Sequence, residues 1–164
     1  MPQKIIIGVM GPGEGAKSEV CATAYQLGRL LASKGWITLC GGRKAGVMEA
    51  VSRGAKEVGG ITVGILPGED NQQTSEHIDI PIITGMGSAR NNINVLTSKV
   101  IVACGMGSGT LSEVALAMKA KKHVIFLEQS ENQFQLIGNY ALKGTCYLVR
   151  TPLDVIKHIE RIIQ

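Results

Sequence analysis

Short runs of consecutive apolar residues alternate along this chain with segments of helical periodicity. Residues 5–7 and 100–104 are apolar at every position rather than at every second one. Strands that are apolar on both faces are typical of parallel sheets that helices cover on both sides. Regular alternation of such strands with helices predicts an α/β, Rossmann-like, doubly wound fold.

The pattern places about seven strands in a mainly parallel sheet with helices on both faces. At 164 residues the chain is long enough for one hydrophobic core, so we predict a single Rossmann-like domain over 1–164. The predicted strands are 4–9, 36–40, 61–66, 78–83, 99–104, 123–127 and 146–149. The predicted helices are 17–33, 45–58, 88–98, 110–121, 132–142 and 151–163.

The composition argues against several classes of partner. The net charge is only +4, and no basic arm or mixture of basic and aromatic residues occurs, so we expect no nucleic-acid partner. No apolar run reaches membrane length, and the first residues lead into a strand without a signal-peptide layout. We therefore expect no membrane partner and a cytoplasmic location.

The cysteines and histidines do not predict a metal site. The four cysteines lack the spacing of a zinc site or of a redox pair, and we expect reduced, mostly buried thiols. Cys40 and Cys104 each end a predicted strand before a glycine turn, where a thiol could face a ligand. No cluster of His, Asp and Glu has metal-ligand spacing, and His77, in the long polar loop 67–77, is expected to be exposed.

Glycine-rich turns follow most of the predicted strands. In parallel α/β sheets, ligands bind beyond the carboxyl ends of the strands, where such turns meet. The turns at this edge are 8–13, 41–43, 67–68, 85–92 and 105–110. So many glycine-bearing loops at one edge predict a binding site, because glycine lets the backbone approach a ligand closely.

The turn 105–113, Gly-Met-Gly-Ser-Gly-Thr-Leu-Ser-Glu, is the most informative of these segments. It joins a buried strand to a helix whose free N–H groups face the turn, an arrangement that binds phosphate and other anions. Thr110 is expected to cap this helix or to bond to the anion, and Glu113 stands where a capping-box partner or a ligand acceptor would lie. Ser88 is the expected N-cap of the helix 88–98.

Two arginines beside glycines, Arg43 and Arg90, are expected to bind the anion. An arginine can hold a phosphate through two parallel hydrogen bonds. Residues 11–16 also fit the dinucleotide pattern GxGxxG/A, but the second strand ends in Cys-Gly-Gly-Arg instead of an acidic residue. Arg43 could meet a 2′-phosphate there, which keeps an NADP-binding protein as a minor alternative.

Several motifs occur in a fixed order between residues 5 and 126. They are Gly-Val-Met-Gly-Pro-Gly at 8–13, Gly-Gly-Arg at 41–43, Ile-Leu-Pro-Gly at 65–68, Gly-Ser-Ala-Arg-Asn-Asn-Ile-Asn at 87–94 and the turn 105–113. In these motifs the chain resembles the molybdenum cofactor carrier proteins. Their cargo is a pterin that bears a dithiolene, a molybdenum oxide group and a terminal phosphate.

The resemblance implies a non-enzymatic protein that binds and protects the molybdenum cofactor (molybdopterin) and transfers it to molybdenum enzymes such as nitrate reductase. It also implies a homo-oligomer, commonly a tetramer. Whether the full cofactor, the metal-free pterin or molybdate is the resident ligand stays open. The residues expected to bind the cargo are Gly11, Pro12, Gly13, Gly41, Gly42, Arg43, Pro67, Ser88, Arg90, Asn91, Gly105, Met106, Gly107, Ser108, Gly109, Thr110 and Glu113.

The wider superfamily offers a different function. Lonely-guy-type phosphoribohydrolases cleave the N-glycosidic bond of nucleoside 5′-monophosphates and carry Pro-Gly-Gly-x-Gly-Thr-x-x-Glu together with an Arg-Lys pair. Here Gly105 and Met106 replace the Pro and the first Gly, and Asn91 replaces the Lys, whereas Arg90 and Glu113 remain. A phosphoribohydrolase with Arg90 and Glu113 as catalytic residues is therefore the alternative to a carrier.

Overall fold

The computed structural model describes residues 3–164, so Met1 and Pro2 of the predicted domain lie outside the described residues. Within this range, seven strands form one sheet, and helices cover both of its faces. The strands are β1 (Ile6–Met10), β2 (Ile37–Cys40), β3 (Thr62–Leu66), β4 (Ile80–Ile83), β5 (Val100–Cys104), β6 (Val124–Leu127) and β7 (Cys146–Leu148). The helices are α1 (Ser18–Ser33), α2 (Gly46–Glu57), α3 (Asn91–Thr97), α4 (Ser108–Lys119), α5 (Glu131–Gly138) and α6 (Pro152–Ile163), and a 3₁₀ turn, Gly87–Arg90, precedes α3.

Neighbouring strands of the sheet are parallel, in the order β4-β3-β2-β1-β5-β6-β7. The chain builds the sheet outwards from β1 to β4 and then crosses back to place β5 on the other side of β1. This topology confirms the predicted Rossmann-like, doubly wound fold. Because the order reverses between β1 and β5, the loops that leave these strands diverge and open a crevice at the carboxyl ends.

Hydrophobic cores fill both sides of the sheet. On one side, α1, α2 and α6 cover a cluster that includes the fully buried Ile7 and Leu27. On the other side, α3, α4 and α5 cover a cluster that includes the fully buried Ile101 and Phe126. Burial on both faces explains why the inner strands are apolar at every position. None of the helices in residues 3–164 is both long and apolar enough to cross a membrane.

The outer strand β4 differs from the prediction. Ile80, Ile82 and Ile83 keep 48%, 42% and 46% of their surface exposed, although the predicted strand 78–83, in which Asp79 is the one charged residue, is expected to be buried. The chain passes from β3 to β4 through residues 67–79 without a helix, in agreement with the polar loop predicted at 67–77. As a result, β4 is an edge strand with an uncovered apolar surface.

Two predicted helices also have different ends. The helix predicted to begin at residue 110 already begins at Ser108, and the helix predicted to continue to residue 142 ends at Gly138. Glycine weakens a helix relative to other residues, which accounts for the early end of α5. The early start of α4 changes the environment of Thr110, as described below.

Helices α1 and α2 approach each other through two glycines. A Cβ atom at Gly28 would lie 2.1 Å from the carbonyl oxygen of Val51, and one at Gly54 would lie 2.0 Å from the carbonyl oxygen of Tyr25. Because both obstacles are backbone atoms, the helices would have to separate to admit a methyl group. This contact fixes the spacing of the two helices that follow β1 and β2.

We expect the substitution Gly28→Ala to lower the free energy of unfolding by about 1–3 kcal/mol, because the added methyl group forces α1 and α2 apart. Gly138 is also helical, but nothing lies within 4 Å of a Cβ atom there. Gly138→Ala is therefore the matched control and should leave stability unchanged or raise it by up to about 1 kcal/mol. Urea unfolding measures the free energy of unfolding of both variants. Equal changes in the two variants would contradict the role of the α1–α2 contact.

Candidate functional site

A cleft of about 420 Å³ opens where β1 and β5 diverge at the carboxyl edge of the sheet. Its walls come from the turn after β1, the ends of β2 and β3, the 3₁₀ turn before α3 and the start of α4. A cleft of this size suits a cofactor or a nucleotide. The topology thus brings five separate segments of the sequence together at one place.

Fourteen of the 17 residues predicted to bind the cargo line this cleft. They are Gly11, Pro12, Gly13, Gly41, Arg43, Pro67, Ser88, Arg90, Asn91, Gly107, Ser108, Gly109, Thr110 and Glu113. Their common location follows from the parallel sheet, because the loops after successive strands emerge at the same edge. Their individual roles in binding remain predictions.

The structure places Gly42, Gly105 and Met106 beside the cleft instead of in its wall. Gly42 has a φ of +78°, and a Cβ atom there would lie 2.9 Å from the Cα atom of Gly64, so its lack of a side chain serves the contact with β3. A Cβ atom at Gly105 would lie 2.8 Å from the Cγ1 atom of Val20. Met106 packs against the core beneath α3 and α4. Each of these residues therefore contributes to packing around the site.

The amino terminus of α4 forms one wall of the cleft. Gly107 is the N-cap residue, and no side chain within residues 3–164 caps this helix. The N–H groups of Ser108, Gly109 and Thr110, at the start of α4, have no intrahelical acceptor. Free amides at the positive end of a helix dipole bind phosphate and other anions. The wall that these residues form is the natural position for an anionic group of a ligand.

Thr110 and Glu113 do not form the capping box that the sequence suggests. Thr110 lies inside the first turn, because α4 already begins at Ser108. Its side chain is 2% exposed, and in the described part of the chain its Oγ1 atom has no hydrogen-bond partner. Such a hydroxyl in a cleft wall is available to a ligand. Ser88 is likewise not an N-cap, because it lies inside the 3₁₀ turn.

The two arginines of the cleft are engaged differently. Arg43 donates from Nη2 to Oε1 of Glu14 at 2.8 Å, so its charge is partly neutralised. Arg90 donates from Nη1 to Oδ1 of Asn91, and among residues 3–164 it forms no ion pair. A Cβ atom at Gly41 would lie 2.8 Å from Nη2 of Arg90, so this glycine makes room for the guanidinium group. Arg90 therefore offers the cleft a positive charge that no ion pair in the described part of the chain neutralises.

Glu113 is a buried carboxyl group in the wall of the cleft. Glu113 is only 6% exposed. Its Oε1 atom accepts a hydrogen bond of 2.7 Å from Nδ2 of Asn94. Burial raises the pKa of the Glu113 carboxyl to about 7, although the Asn94 hydrogen bond and the Arg90 charge act in the opposite direction. The group is therefore partly protonated at neutral pH.

The cysteines at the ends of β2 and β5 do not reach the cleft. Cys40 and Cys104 are fully buried and free, as expected for reduced core thiols, and neither belongs to the lining. Burial raises the pKa of the Cys104 thiol to about 12 and also raises the pKa of Cys40. Both thiols therefore stay protonated and unreactive at neutral pH.

The long loop 67–77 is held against the end of β2 instead of being free. His77 is half-buried, and its Nε2 atom lies 3.3 Å from Oε1 of Glu49 on α2. Glu76 joins them, so that ligand atoms of the three residues lie within 4.8 Å of one another. Sequence spacing does not reveal this cluster, because Glu49 is distant in the chain. Lys44, in the connection between β2 and α2, pairs with Glu76 at 3.4 Å, so polar contacts hold the loop to α2 and to the segment before it.

The cleft also contains residues that the sequence analysis did not single out. Five further residues line it, namely Val9, Met10, Glu14, Met48 and Gly87. Asn94 lies behind Glu113 and is fully buried. Its position four residues after Arg90 places both on one helical face, a signal that could have identified it. The position of Met48 depends on the packing angle of α2, which the sequence does not display.

The fold and the cleft define a class: a Rossmann-like α/β protein with a cleft at the carboxyl edge of a parallel sheet. The chain belongs to the SLOG cluster4 family, which it matches over residues 4–156.

Proteins of known structure share this architecture over their full length. The molybdenum cofactor binding protein from the phototrophic bacterium Rippkaea orientalis is 49% identical, with 99% of each chain covered and a TM-score of 0.96. The Moco carrier protein from Chlamydomonas reinhardtii is 44% identical, with 98% of each chain covered and a TM-score of 0.92. A relative in sequence, an uncharacterised protein of Archaeoglobus fulgidus, is 44% identical over 122 residues, which cover 74% of this chain and 79% of that protein. The resemblance to the molybdenum cofactor carrier proteins is confirmed.

The buried Glu113 carboxyl should make stability depend on pH. Its pKa is about 7 in the folded protein and 4.5 for an ordinary glutamate, so its contribution to stability is greatest below pH 4.5 and is lost as the pH rises towards 7. Glu113→Gln keeps an acceptor for Asn94 but cannot ionise. We expect it to raise the free energy of unfolding at pH 8 by about 1–3 kcal/mol.

Unfolding by urea at pH 5 and pH 8 measures this effect. The exposed Glu69 provides the matched control, since Glu69→Gln removes a carboxylate that is already in water. The assigned environment of Glu113 is contradicted if Glu113→Gln destabilises the protein at pH 8 or has the same effect at both pH values.

Proposed function

We propose that this protein binds, protects and transfers the molybdenum cofactor as a non-enzymatic carrier. The observation that carries the proposal is the cleft at the start of α4, where free amides, the Thr110 hydroxyl and the unpaired Arg90 converge. A phosphorylated pterin has the matching chemistry, since its terminal phosphate needs donors and positive charge. The high identity to proteins named for the binding of this cofactor supports the proposal.

The cleft would hold the cargo through its phosphate and its ring system. The phosphate would lie on the amides of residues 108–110, with the Thr110 hydroxyl and Arg90 beside it. The flat rings would lie along the wall that Gly13 and Arg90 form, since the Arg90 guanidinium group occupies the space in front of Gly41. No histidine or cysteine occurs among the lining residues in the described range, so the molybdenum would keep its own dithiolene ligands. The proposal covers the full cofactor as resident ligand, with molybdate as a further candidate.

The second candidate function is phosphoribohydrolase activity on a nucleoside 5′-monophosphate. It is favoured because Arg90 and Glu113, the two residues that match the catalytic positions of the hydrolases, line the same cleft. A buried carboxyl group whose pKa is raised to about 7 is compatible with acid–base catalysis, so Glu113 does not separate the two functions. Asn91, however, replaces the lysine of the hydrolase pair and donates to Ser112 at 2.8 Å. This replacement favours the carrier.

We further propose that the protein acts as a cytoplasmic homotetramer that delivers its cargo to molybdenum enzymes such as nitrate reductase. The exposed isoleucines of β4 support self-association, because uncovered apolar edges of this kind usually lie at interfaces. Ile82→Asp should therefore reduce the oligomer to smaller species in analytical ultracentrifugation. Leu153→Asp, at an exposed leucine on α6, is the matched control. If the mass of the oligomer is unchanged in the Ile82→Asp variant, β4 does not form part of the interface.

The direct test of the carrier is anaerobic incubation of the purified protein with molybdenum cofactor and, separately, with AMP. The carrier should retain pterin and molybdenum, should activate cofactor-free nitrate reductase and should release no adenine. Release of adenine that disappears in Glu113→Gln, without retained cofactor, would instead establish the hydrolase.

Arg90→Gln tests how the cleft binds the cofactor. We expect roughly 10- to 100-fold weaker retention, because a charge-assisted hydrogen bond contributes about 1.5–3 kcal/mol. Arg161→Gln, at an exposed arginine near the end of α6, should retain cofactor like the unmodified protein. Equal retention by both variants would show that Arg90 does not contact the cargo.

A further inference from the structure

Asn94 and Glu113 form a polar pair beneath the cleft. Asn94 is fully buried on α3, and its Nδ2 atom donates to Oε1 of Glu113 on α4. The Oδ1 atom of Asn94 is also buried, and within residues 3–164 it has no hydrogen-bond partner. A buried amide oxygen without a partner is uncommon in folded proteins and calls for an explanation.

Few charged groups face Glu113, and they come from the other walls of the cleft. Arg90, in the 3₁₀ turn, acts on Glu113 through its charge but lies too far away to form an ion pair. Arg43, after β2, is paired with Glu14. Cys40, at the end of β2, is a buried thiol.

The elements around Glu113, which are the neighbours of α4 and the strand β1 at the cleft, bring no further ionisable group that faces it. The described parts of β1, α3 and β6 contain no ionisable side chain, and the Cys104 thiol of β5 lies in the core on the opposite side of the sheet. Glu113 is therefore the carboxyl group whose charge the cleft balances least. An anionic ligand placed beside it would repel its ionised form.

The amide of Asn94 can serve either protonation state of this carboxyl group. In the orientation seen here, Nδ2 donates to a carboxylate oxygen. Rotation of the amide by half a turn would place Oδ1 there instead, where it could accept a hydrogen bond from a protonated carboxyl group. The amide oxygen that has no partner in the first state gains one in the second.

We propose that Asn94 is a positioning residue that accommodates both protonation states of Glu113, so that the cleft takes up one proton when it binds a phosphorylated anion. The proton comes from solvent and converts the Glu113 carboxylate to the carboxylic acid, while Asn94 changes from donor to acceptor. This inference rests on the proposed function of the cleft, because it concerns binding of the same anionic cargo. Affinity should then fall as the pH rises, since the ionised free protein must first be protonated.

Anaerobic equilibrium dialysis with molybdenum cofactor between pH 7.5 and pH 9 tests the proposal. In this range the phosphate of the ligand stays a dianion, because its second pKa is about 6. The affinity of the unmodified protein should fall by about three- to tenfold per pH unit. Glu113→Gln should bind with an affinity that stays constant over the same range.

Asn94→Leu isolates the positioning role. Loss of the Asn94 donor removes a contact that favours the ionised carboxyl group, so the decline in affinity should begin at higher pH. Asn92→Leu, at the exposed asparagine of the same helix, should follow the profile of the unmodified protein. Asn94→Ser, which is too short to reach the carboxyl group, replaces Asn94→Leu should the latter fail to fold.

The outcomes separate this inference from the function on which it rests. Failure to bind cofactor at any pH overturns the carrier itself. Binding with a pH-independent affinity, or with equal slopes for the unmodified protein and Glu113→Gln, overturns the proton uptake and leaves the carrier intact. An Asn94→Leu profile that matches that of Asn92→Leu removes Asn94 from the mechanism.

Discussion

The open amino terminus of α4 at the switch point between β1 and β5 is the feature on which the site depends. A helix that begins at Ser108 behind a glycine leaves its first amides without partners in the described chain. Ser130 and Thr151 cap α5 and α6 through their side chains, whereas α1 and α2, like α4, have no side-chain cap. At the switch point the parallel sheet holds the same groups against an open cleft, with Arg90 and Thr110 beside them. Sheet topology thus directs an uncapped helix end into the cleft, where our proposal places the anionic group of the cargo.

The buried carboxyl group of Glu113 lowers the stability of the protein when it is ionised, although it faces the cleft where a ligand would bind. A glutamine at this position would satisfy Asn94 without the cost of a buried charge, so the fold itself does not require the carboxyl group. A group that costs stability and faces a cleft is typical of a functional site. The carboxyl group could discriminate among anions, because it tolerates an anionic neighbour only in its protonated form. This selectivity would complement the general attraction that Arg90 and the α4 amides supply.

Much of the fold could be predicted from the sequence, because runs of apolar residues such as those of β5 report burial on both faces directly. The position of the cleft could be predicted from the glycine turns, since parallel strands end at one edge. The errors arose where tertiary contacts override local pattern. Ile80 belongs to an apolar run but lies on an edge strand, and the start of α4 at Ser108 removed Thr110 from the cap position. The Asn94–Glu113 pair spans two helices, so neither segment alone could reveal it.

The most direct test of the central claim is a crystal structure of the protein loaded anaerobically with molybdenum cofactor. The cofactor should occupy the cleft between β1 and β5, with its phosphate oxygens within hydrogen-bond distance of the Ser108, Gly109 and Thr110 amides. The Arg90 guanidinium should contact the cargo, and Glu113 should lie in the same wall. A cofactor bound elsewhere on the protein, or one whose phosphate points away from α4, would contradict the claim that this helix end is the anion site.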